Sequence, residues 1–344
     1  MPAPLTIAGG GLAGLTLGIA LRQRGLPVTV FESGHYPRHR VCGEFISGHG
    51  RAVLARLGLE EKLLALGARP AVNAAFYSVR GANARFALPE PALCLSRFQM
   101  DAALAAEFQR LGGELVCGQR LTETSGEGIV RATGRRSQPT VQGWRWLGLK
   151  VHARQVTLGA DLEMHFLRDG YVGLCQLPGG TVDVCGLFRS RSTVSDLAQT
   201  WREWLAGPPG SVLHERLGGA VLDPESFCSV AGLRLGPAWG QGTDECRIGD
   251  AIAMIPPVTG NGMSMAFESA ELALEPLTAY SRGDLGWSAT CRQIDTALRR
   301  RFAGRLLRAA CLQWVIFKPT ANGPLVRLAS RFSGLLRMLF ALTR

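Results

Sequence analysis

The sequence predicts an α/β fold in which a doubly wound, mostly parallel sheet is interrupted by a mostly antiparallel sheet and followed by a helical tail. Three patterns predict it: strand–turn–helix–strand over residues 4–33, alternating strands over 144–190, and a basic helical stretch after residue 291. A helix between two strand patterns is typical of a parallel sheet. Alternating strands separated by glycine-rich turns are typical of an antiparallel one.

The first pattern opens with an apolar strand that breaks into the spacing G-x-G-x-x-G. Its glycines are Gly9, Gly11 and Gly14, and a second strand ends at Glu32, 18 residues after Gly14. Gly9 would permit the tight turn, Gly11 the close approach of a pyrophosphate, and Gly14 the packing of helix on strand. The helix N-terminus attracts phosphates, and the carboxylate of Glu32 can accept hydrogen bonds from ribose hydroxyls. The unit is Rossmann-like and predicts a bound dinucleotide.

Composition places the chain among globular proteins. It has 344 residues, 47% of them hydrophobic and 19% charged, which suffices for two domains with a sizeable core. The N-terminus runs straight into the first strand, and no apolar run reaches the 18 residues of a membrane span. Nine cysteines are scattered without a C-x-x-C pair, so we expect a reducing cytoplasm and no metal site.

The net charge of +11 is concentrated at the C-terminus. Residues 292–344 carry eleven Lys or Arg against the single acid Asp295, and the preceding 291 residues are nearly neutral. No nucleic-acid-binding motif or aromatic platform accompanies this charge, so we expect no nucleic-acid partner.

A second motif lies at residues 247–270. A strand ends at Gly249-Asp250, a Pro-Pro turn includes Pro257, and Gly260-Asn261-Gly262 opens a long helix before Met263. Asp250 could bind polyol hydroxyls, and the glycine turn would aim helix N–H groups at an electron-rich group. Two nucleotide-contact motifs about 240 residues apart suit a long, folded-over cofactor better than NAD.

Together with the loop Arg40-Val41-Cys42-Gly43-Glu44 and with Arg97, these motifs resemble the FAD-binding framework of the p-hydroxybenzoate hydroxylase superfamily. The chain is most similar to its geranylgeranyl-reductase-like branch and to related bacterial flavoprotein monooxygenases, over roughly residues 3–280. The resemblance implies an FAD-binding domain, noncovalent FAD and NAD(P)H as electron donor. The residues that it implies for cofactor binding are Gly9, Gly11, Gly14, Glu32, Arg40, Cys42, Arg97, Gly249, Asp250, Pro257, Gly260, Asn261, Gly262 and Met263.

The expected domains are discontinuous. Residues 1–68, 92–140 and 235–290 would form the FAD-binding domain, 69–91 and 141–234 the substrate domain, and 291–344 the basic tail. Within the predicted substrate sheet, Lys150 and His152 share one strand face, and His165 shares a face with Glu163. If these faces meet the pocket, Lys150, His152 or His165 could orient or deprotonate a substrate hydroxyl. The alternative is a solvated outer face.

Cys42 is a further catalytic candidate. It occupies the place where the geranylgeranyl reductases that the chain resembles carry a cysteine near the flavin. The alternative is a small residue packed under the cofactor loop.

Three functions stay open from the sequence. The first is a monooxygenase that hydroxylates a lipophilic aromatic or polyketide-like substrate through a flavin C4a-hydroperoxide. The second is a reductase of double bonds in a prenyl or polyketide lipid, and the third is a flavin-binding protein without turnover. Halogenation is disfavoured because no lysine lies between residues 63 and 149, where halogenases of this superfamily need one.

The tail predicts an amphipathic helix from Leu325 onward. Its basic residues and apolar stripe suit either peripheral contact with an anionic membrane or a lid packed on the protein. The stripe consists of residues 325, 328, 332, 335, 336, 339 and 342.

Overall fold

The computed structural model describes residues 1–331 apart from positions 80, 136, 139, 142, 192–196 and 240–243. The predicted fold class is confirmed, with a parallel sheet, a larger antiparallel sheet and C-terminal helices. The described strands are β1 Leu5–Ala8, β2 Val28–Glu32, β3 Phe45–Ile46, β4 Arg69–Tyr77, β5 Asn83–Cys94, β6 Glu114–Cys117, β7 Ile129–Arg131, β8 Arg145–Arg154, β9 Leu162–Phe166, β10 Gly170–Gln176, β11 Val182–Ser190, β12 Val221–Ala231, β13 Gly236–Pro237, β14 Cys246–Arg247 and β15 Ala253–Met254. The described α-helices are α1 Leu12–Gln23, α2 His49–Arg56, α3 Glu60–Ala65, α4 Arg97–Arg110, α5 Leu197–Ala206, α6 Val212–Leu217, α7 Gly262–Arg282, α8 Trp287–Ile316 and α9 Pro319–Arg331.

The parallel sheet has the strand order β14-β7-β1-β2-β6. Its central strand β1 pairs in parallel with β2 and with β7, and buried residues of α1, α4, α7 and α8 share one core with its strands. Strands enclosed in this way need apolar residues on both faces. The short apolar runs at residues 5–8 and 28–31 meet that need. The carboxyl ends of β1 and β2 therefore carry the glycine turn and Glu32 to one edge of the sheet.

The second sheet has eight strands in the order β12-β8-β11-β10-β9-β4-β5-β3. One face is covered by α5 and α6 and is built on alternate residues such as Leu149 and Val151. The opposite, inner face carries the intervening residues and looks towards the cofactor motifs. Strand β3, at Phe45–Ile46, joins this sheet through β5, although it lies outside the ranges that the sequence suggested for it.

Helices α8 and α9 close the molecule. Among the described residues, none of the helices has the length and hydropathy that crossing a membrane requires. Helix α8 is fixed to α7 by a buried ion pair, in which Arg305 Nη1 lies 2.6 Å from Glu268 Oε1. Arg301 adds a second contact to the same carboxylate at 2.7 Å.

Helix α9 contains the start of the predicted tail helix. Val326 is buried against the inner core, whereas Leu328, which the sequence placed on the apolar stripe, is 47% exposed. Within α9, Val326 therefore contacts the underlying core and Leu328 faces away from it. The side chain of Leu325 and residues 332–344 lie outside the described part of the chain.

We predict that Glu268→Gln strongly destabilises the fold. The substitution leaves Arg305 buried without a countercharge, which typically costs about 3–5 kcal/mol. Urea unfolding followed by circular dichroism measures this loss. The control is Glu275→Gln, because Glu275 forms an exposed pair with Arg24, and an exposed pair contributes about 0–1 kcal/mol. Equal losses in the two variants would contradict the prediction.

Candidate functional site

One large cavity lies between the two sheets. Its volume is about 1190 Å³, which exceeds the roughly 300–1,000 Å³ of ordinary small-molecule pockets. Residues from both predicted cofactor motifs line it, as do residues of the inner face of the antiparallel sheet and of the C-terminal helices. The motifs that lie furthest apart in the sequence thus share one space.

The first glycine turn forms one end of the cavity. Gly9 has a φ of 111°, and a side chain there would overlap the backbone of Ala132. A Cβ atom on Gly14 would overlap the carbonyl oxygen of Gly9, whereas one on Gly11 would meet nothing within 4 Å. Gly9 and Gly14 are therefore required by the turn and its packing. Gly11 leaves open space at the N-terminus of α1, where an anion would be stabilised.

Glu32 stands beside this turn with a fixed carboxylate. It accepts hydrogen bonds from the backbone N–H groups of Gly10 and Gly34, both at 3.0 Å, and pairs with Arg38 at 2.6 Å. Burial alone would raise the pKa of Glu32, but the hydrogen bonds from Arg38 and Gly34 outweigh it and hold the pKa below its usual value. Arg40 is 3.8 Å from the same carboxylate and lines the cavity. The charge of Glu32 is thus retained at neutral pH.

The second glycine turn lines the other part of the cavity. Gly260 has a φ of 65°, and a Cβ atom there would overlap the ring of Phe45. Asn261 precedes the first residue of α7, and Gly262 and Met263 line the cavity from that helix. Asp250 lines it from the turn after β14, where burial raises the pKa of its carboxyl. Gly249 and Pro257 line the same region.

Arg97 and Cys42 meet at the cavity wall. The guanidinium of Arg97 forms two 2.7 Å hydrogen bonds with the buried Asp101 and contacts the Cys42 thiol. Burial tends to lower the pKa of Arg97, but the charge and hydrogen bonds of Asp101 outweigh burial and raise the pKa above its usual value. The positive charge of Arg97 is therefore permanent. Burial raises the pKa of the Cys42 thiol to about 11. The thiol therefore keeps its proton at neutral pH.

Glu44 connects the two halves of the molecule. It has a φ of 55°, a conformation that non-glycine residues rarely adopt and that costs about 1–3 kcal/mol. Its carboxylate accepts a hydrogen bond from the Arg97 backbone N–H at 2.8 Å, and it lies 3.3 Å from Lys150 Nζ and 2.7 Å from His152 Nε2. The loop that carries Cys42 is thereby fixed to strand β8.

This arrangement settles where Lys150 and His152 lie. Lys150 is fully buried and His152 nearly so, which rules out the solvated outer face. Neither residue lines the cavity, whereas Glu44, which both contact, does. Lys150 Nζ also approaches His39 Nδ1 at 3.1 Å. Burial, followed by the charge of Lys150, lowers the pKa of His39 to about 4.

Asp183 completes this buried group without a hydrogen bond of its own. Its nearer carboxylate oxygen is 3.9 Å from Lys150 Nζ and from His152 Nε2, and neither oxygen has a hydrogen-bond partner among the described residues. Burial and the charge of Glu44 raise the pKa of Asp183 well above its usual value. Glu44, His152 and Asp183 are close enough to share a metal ion, but the ammonium of Lys150 already supplies the countercharge at this position.

His165 lies on the other face of the sheet. Its Nε2 is 2.9 Å from Glu163 Oε2, and its ring stacks on Tyr77 with centroids 4.7 Å apart. The neighbouring Met164 points to the cavity instead. His165 is 2% exposed, so it does not lie on a solvated outer face. It does not line the cavity either, and a ligand there would not contact it directly.

The inner part of the cavity is apolar and is formed by side chains from three regions. Strands β4, β9, β10 and β11 supply its floor, the turn before α7 one wall, and helices α8 and α9 its roof. These residues, which we call the apolar chamber, are Phe76, Leu162, Met164, Phe166, Tyr171, Leu187, Met254, Val258, Leu312, Ile316 and Val326.

Sequence reasoning missed several cavity residues. Arg131 at the end of strand β7 and Arg135 beyond it line the cofactor-motif end, as do Arg120 and Thr122 after β6. Their position at or beyond the carboxyl ends of parallel strands could have predicted this, since ligands bind beyond those ends. The partnership of Glu44 with Lys150 had no local signal, because the two residues are more than 100 positions apart.

Comparisons with known proteins agree with the fold. A profile of the NAD(P)-binding Rossmann-like domain matches residues 7–44. No curated protein sequence matches the chain.

Solved structures match over nearly the full length. The flavin-dependent brominase Bmp2 is 17% identical with a TM-score of 0.76, covering 98% of this chain and 93% of its own. The p-nitrophenol 4-monooxygenase PnpA from Pseudomonas putida DLL-E4 is 15% identical with a TM-score of 0.78, covering 100% and 98%. A flavoprotein/dehydrogenase from Cytophaga hutchinsonii is 16% identical with a TM-score of 0.72, covering 99% and 92%. At these identities the likeness shows a shared fold.

We predict that Asp183→Asn stabilises the protein at neutral pH. A carboxyl whose pKa is raised by folding stays protonated in the native state, while the unfolded chain ionises above about pH 4. Wild-type stability should therefore fall as pH rises from about 4, and the asparagine variant should lack this fall.

Urea unfolding at a series of pH values measures the difference between the two proteins, which should widen as pH rises. The control is Asp284→Asn, at an exposed residue between α7 and α8, which should follow the wild-type pH dependence. A constant difference between Asp183→Asn and wild type would contradict the assignment.

Proposed function

We propose that the chain is an FAD-dependent oxidoreductase acting on a lipophilic substrate, and that its reaction is a monooxygenation. The single observation that carries the proposal is the continuous cavity, which joins both glycine turns to the apolar chamber. When bound, FAD would supply electron transfer and the activation of O₂ at its isoalloxazine ring. NAD(P)H is the proposed electron donor.

The residues present fit FAD. The open space at Gly11 admits a pyrophosphate, Glu32 would accept ribose hydroxyls, and Arg97 supplies a permanent positive charge nearby. Asp250 would hold polyol hydroxyls, and the N-terminus of α7 at Gly262 would stabilise negative charge on the ring. The other proposed contacts are Gly9, Gly14, Arg40, Cys42, Gly249, Pro257, Gly260, Asn261 and Met263.

The chamber supports a lipophilic substrate. Its floor and roof are carbon-rich side chains that exclude water, and the charged groups lie at the cofactor-motif end. Glu44 is the acidic group between them, and its hydrogen bonds hold the Cys42 loop against the inner sheet. Burial alone would raise the pKa of Glu44, but the contacts with His152 and Lys150 hold it below its usual value. Lys150 and His152 would act by positioning this carboxylate.

Double-bond reduction is the second candidate, and Cys42 favours it. A thiol that keeps its proton at the cavity wall could supply the proton that alkene reduction requires at carbon. Halogenation is not favoured. Lys150 is tied to Glu44, Lys62 pairs with Glu107, and Lys318 stacks on Trp314 outside the cavity.

We also propose that the protein is cytoplasmic and associates peripherally with lipid surfaces. The basic charge of residues 292–344 and the apolar character of the chamber support this proposal.

We predict that Gly11→Val weakens FAD binding without unfolding the protein. The valine side chain would occupy the space left for the pyrophosphate and block its charged hydrogen bonds, worth about 1.5–3 kcal/mol, or roughly 10- to 150-fold in Kd. Titration of the apoprotein with FAD, followed by flavin fluorescence, measures the change. Gly219→Val is the control, because a Cβ atom there also meets nothing but lies on the surface. Unchanged affinity for Gly11→Val would contradict the proposed pyrophosphate position.

For the reaction, we predict NAD(P)H oxidation coupled to hydroxylation of a panel of lipophilic phenols. Mass spectrometry should show one oxygen atom from isotopically labelled O₂ in each product. Product formed only without O₂ from polyprenyl alkenes, and lost in Cys42→Ala, would instead establish the reductase. Failure of the folded protein to bind FAD would exclude both.

A further inference from the structure

The outer face of the C-terminal helices exposes large apolar side chains. Leu307 and Trp314, seven residues apart on α8, are 68% and 63% exposed, and Leu328 on α9 is 47% exposed. Residues seven apart lie on the same side of a helix. Exposed apolar side chains that share one side of a helix, as Leu307 and Trp314 do, are found where a surface binds a partner.

Basic residues are exposed on the same two helices. Arg300, Arg308 and Lys318 are exposed on α8 and just after it, and Arg327 is exposed on α9. The ammonium of Lys318 lies 3.3 Å from the centroid of the Trp314 ring. The one acid of this region, Asp295, is paired with Arg299 at 2.5 Å. The face therefore presents apolar side chains in a field of positive charge.

The inner face of the same two helices roofs the apolar chamber. Leu312 and Ile316 from α8 and Val326 from α9 line the cavity, while Trp314 lies between the first two on the outside. A partner on the outer face would thus be separated from the chamber by one layer of helix.

We propose that this outer face, formed by Leu307, Trp314, Lys318 and Leu328, docks on an anionic lipid bilayer, from which a lipid-soluble substrate reaches the chamber. The inference rests on the proposed function for the substrate and extends it to the route of supply. Charge complementarity selects the occupant: anionic lipids attract basic residues, and tryptophan and leucine enter the boundary between headgroups and acyl chains. Lys318, whose stem lies along the Trp314 ring, can keep its ammonium at the headgroups.

Vesicle cosedimentation tests the docking. The full-length protein should bind vesicles of mixed phosphatidylglycerol and phosphatidylcholine at low salt, bind pure phosphatidylcholine much less, and be released as salt rises. Arg308→Ser combined with Lys318→Ser should weaken binding roughly 30-fold, because each basic residue contributes about fivefold. Arg154→Ser with Arg168→Ser is the matched control, since both arginines are exposed on the antiparallel sheet. This control should bind as the wild type does.

Fluorescence tests the depth of Trp314. Phosphatidylcholine brominated on its acyl chains, included in anionic vesicles, should quench part of the tryptophan emission of the wild type. Trp314→Phe should lose the quenched component.

Three results would overturn the proposal: no binding to anionic vesicles at low salt, equal binding by the charge variant and its control, or a Trp314-independent quench. Light scattering tests the alternative that this face binds a second copy of the chain. A wild-type dimer that becomes monomeric in Trp314→Ser would make this face an interface between copies of the chain. FAD binding is measured on the same preparations, so a flavin-loaded protein that ignores vesicles overturns the docking and leaves the proposed function standing.

Discussion

The carboxylate of Glu44 is the contact on which the geometry of the site depends. It holds the N-terminus of α4 through the Arg97 backbone N–H, and strand β8 through Lys150 and His152. Helix α4 packs on the parallel sheet and β8 belongs to the antiparallel one, so this single side chain spans both. The left-handed backbone at Glu44 costs free energy. The contacts of its carboxylate with Lys150 and His152 offset that cost, because a buried lysine needs a countercharge.

The same group fixes the electrostatics of the cavity wall. Lys150 and Glu44 neutralise each other, and burial without a hydrogen bond raises the pKa of Asp183 well above its usual value. Near the cofactor motifs, Arg97 is held by Asp101 and Glu32 by Arg38, and further arginines line the same end of the cavity. Charge is therefore confined to the end where a dinucleotide would lie, and the chamber is left apolar. Such a division suits chemistry that must exclude water from a lipophilic substrate.

The sequence predicted the fold and the two glycine turns well because both depend on local rules. A strand that breaks into G-x-G-x-x-G has few other solutions, and the alternation within β8 follows from the two-residue period of a strand. The environment of Lys150, His152 and His165 was not predictable, because it depends on the opposing surface. Glu44 and Tyr77 reach these side chains only after the chain has folded back. Periodicity likewise identifies a helix face but not what lies against it, so the sequence alone did not separate exposed Leu328 from buried Val326 on α9.

The C-terminal helices must both close the chamber and stay fixed to the rest of the protein, and a single apolar stripe cannot do both. Their inner side must close the chamber, which Leu312, Ile316 and Val326 do, and α8 must stay in place, which the buried Arg305–Glu268 pair ensures. With the inner side so committed, Leu307 and Trp314 remain exposed on the outer side. Under the proposed function, a lipophilic substrate would reach this chamber from a lipid phase in which it is concentrated. The proposed docking face and the roof of the chamber are then opposite sides of the same two helices.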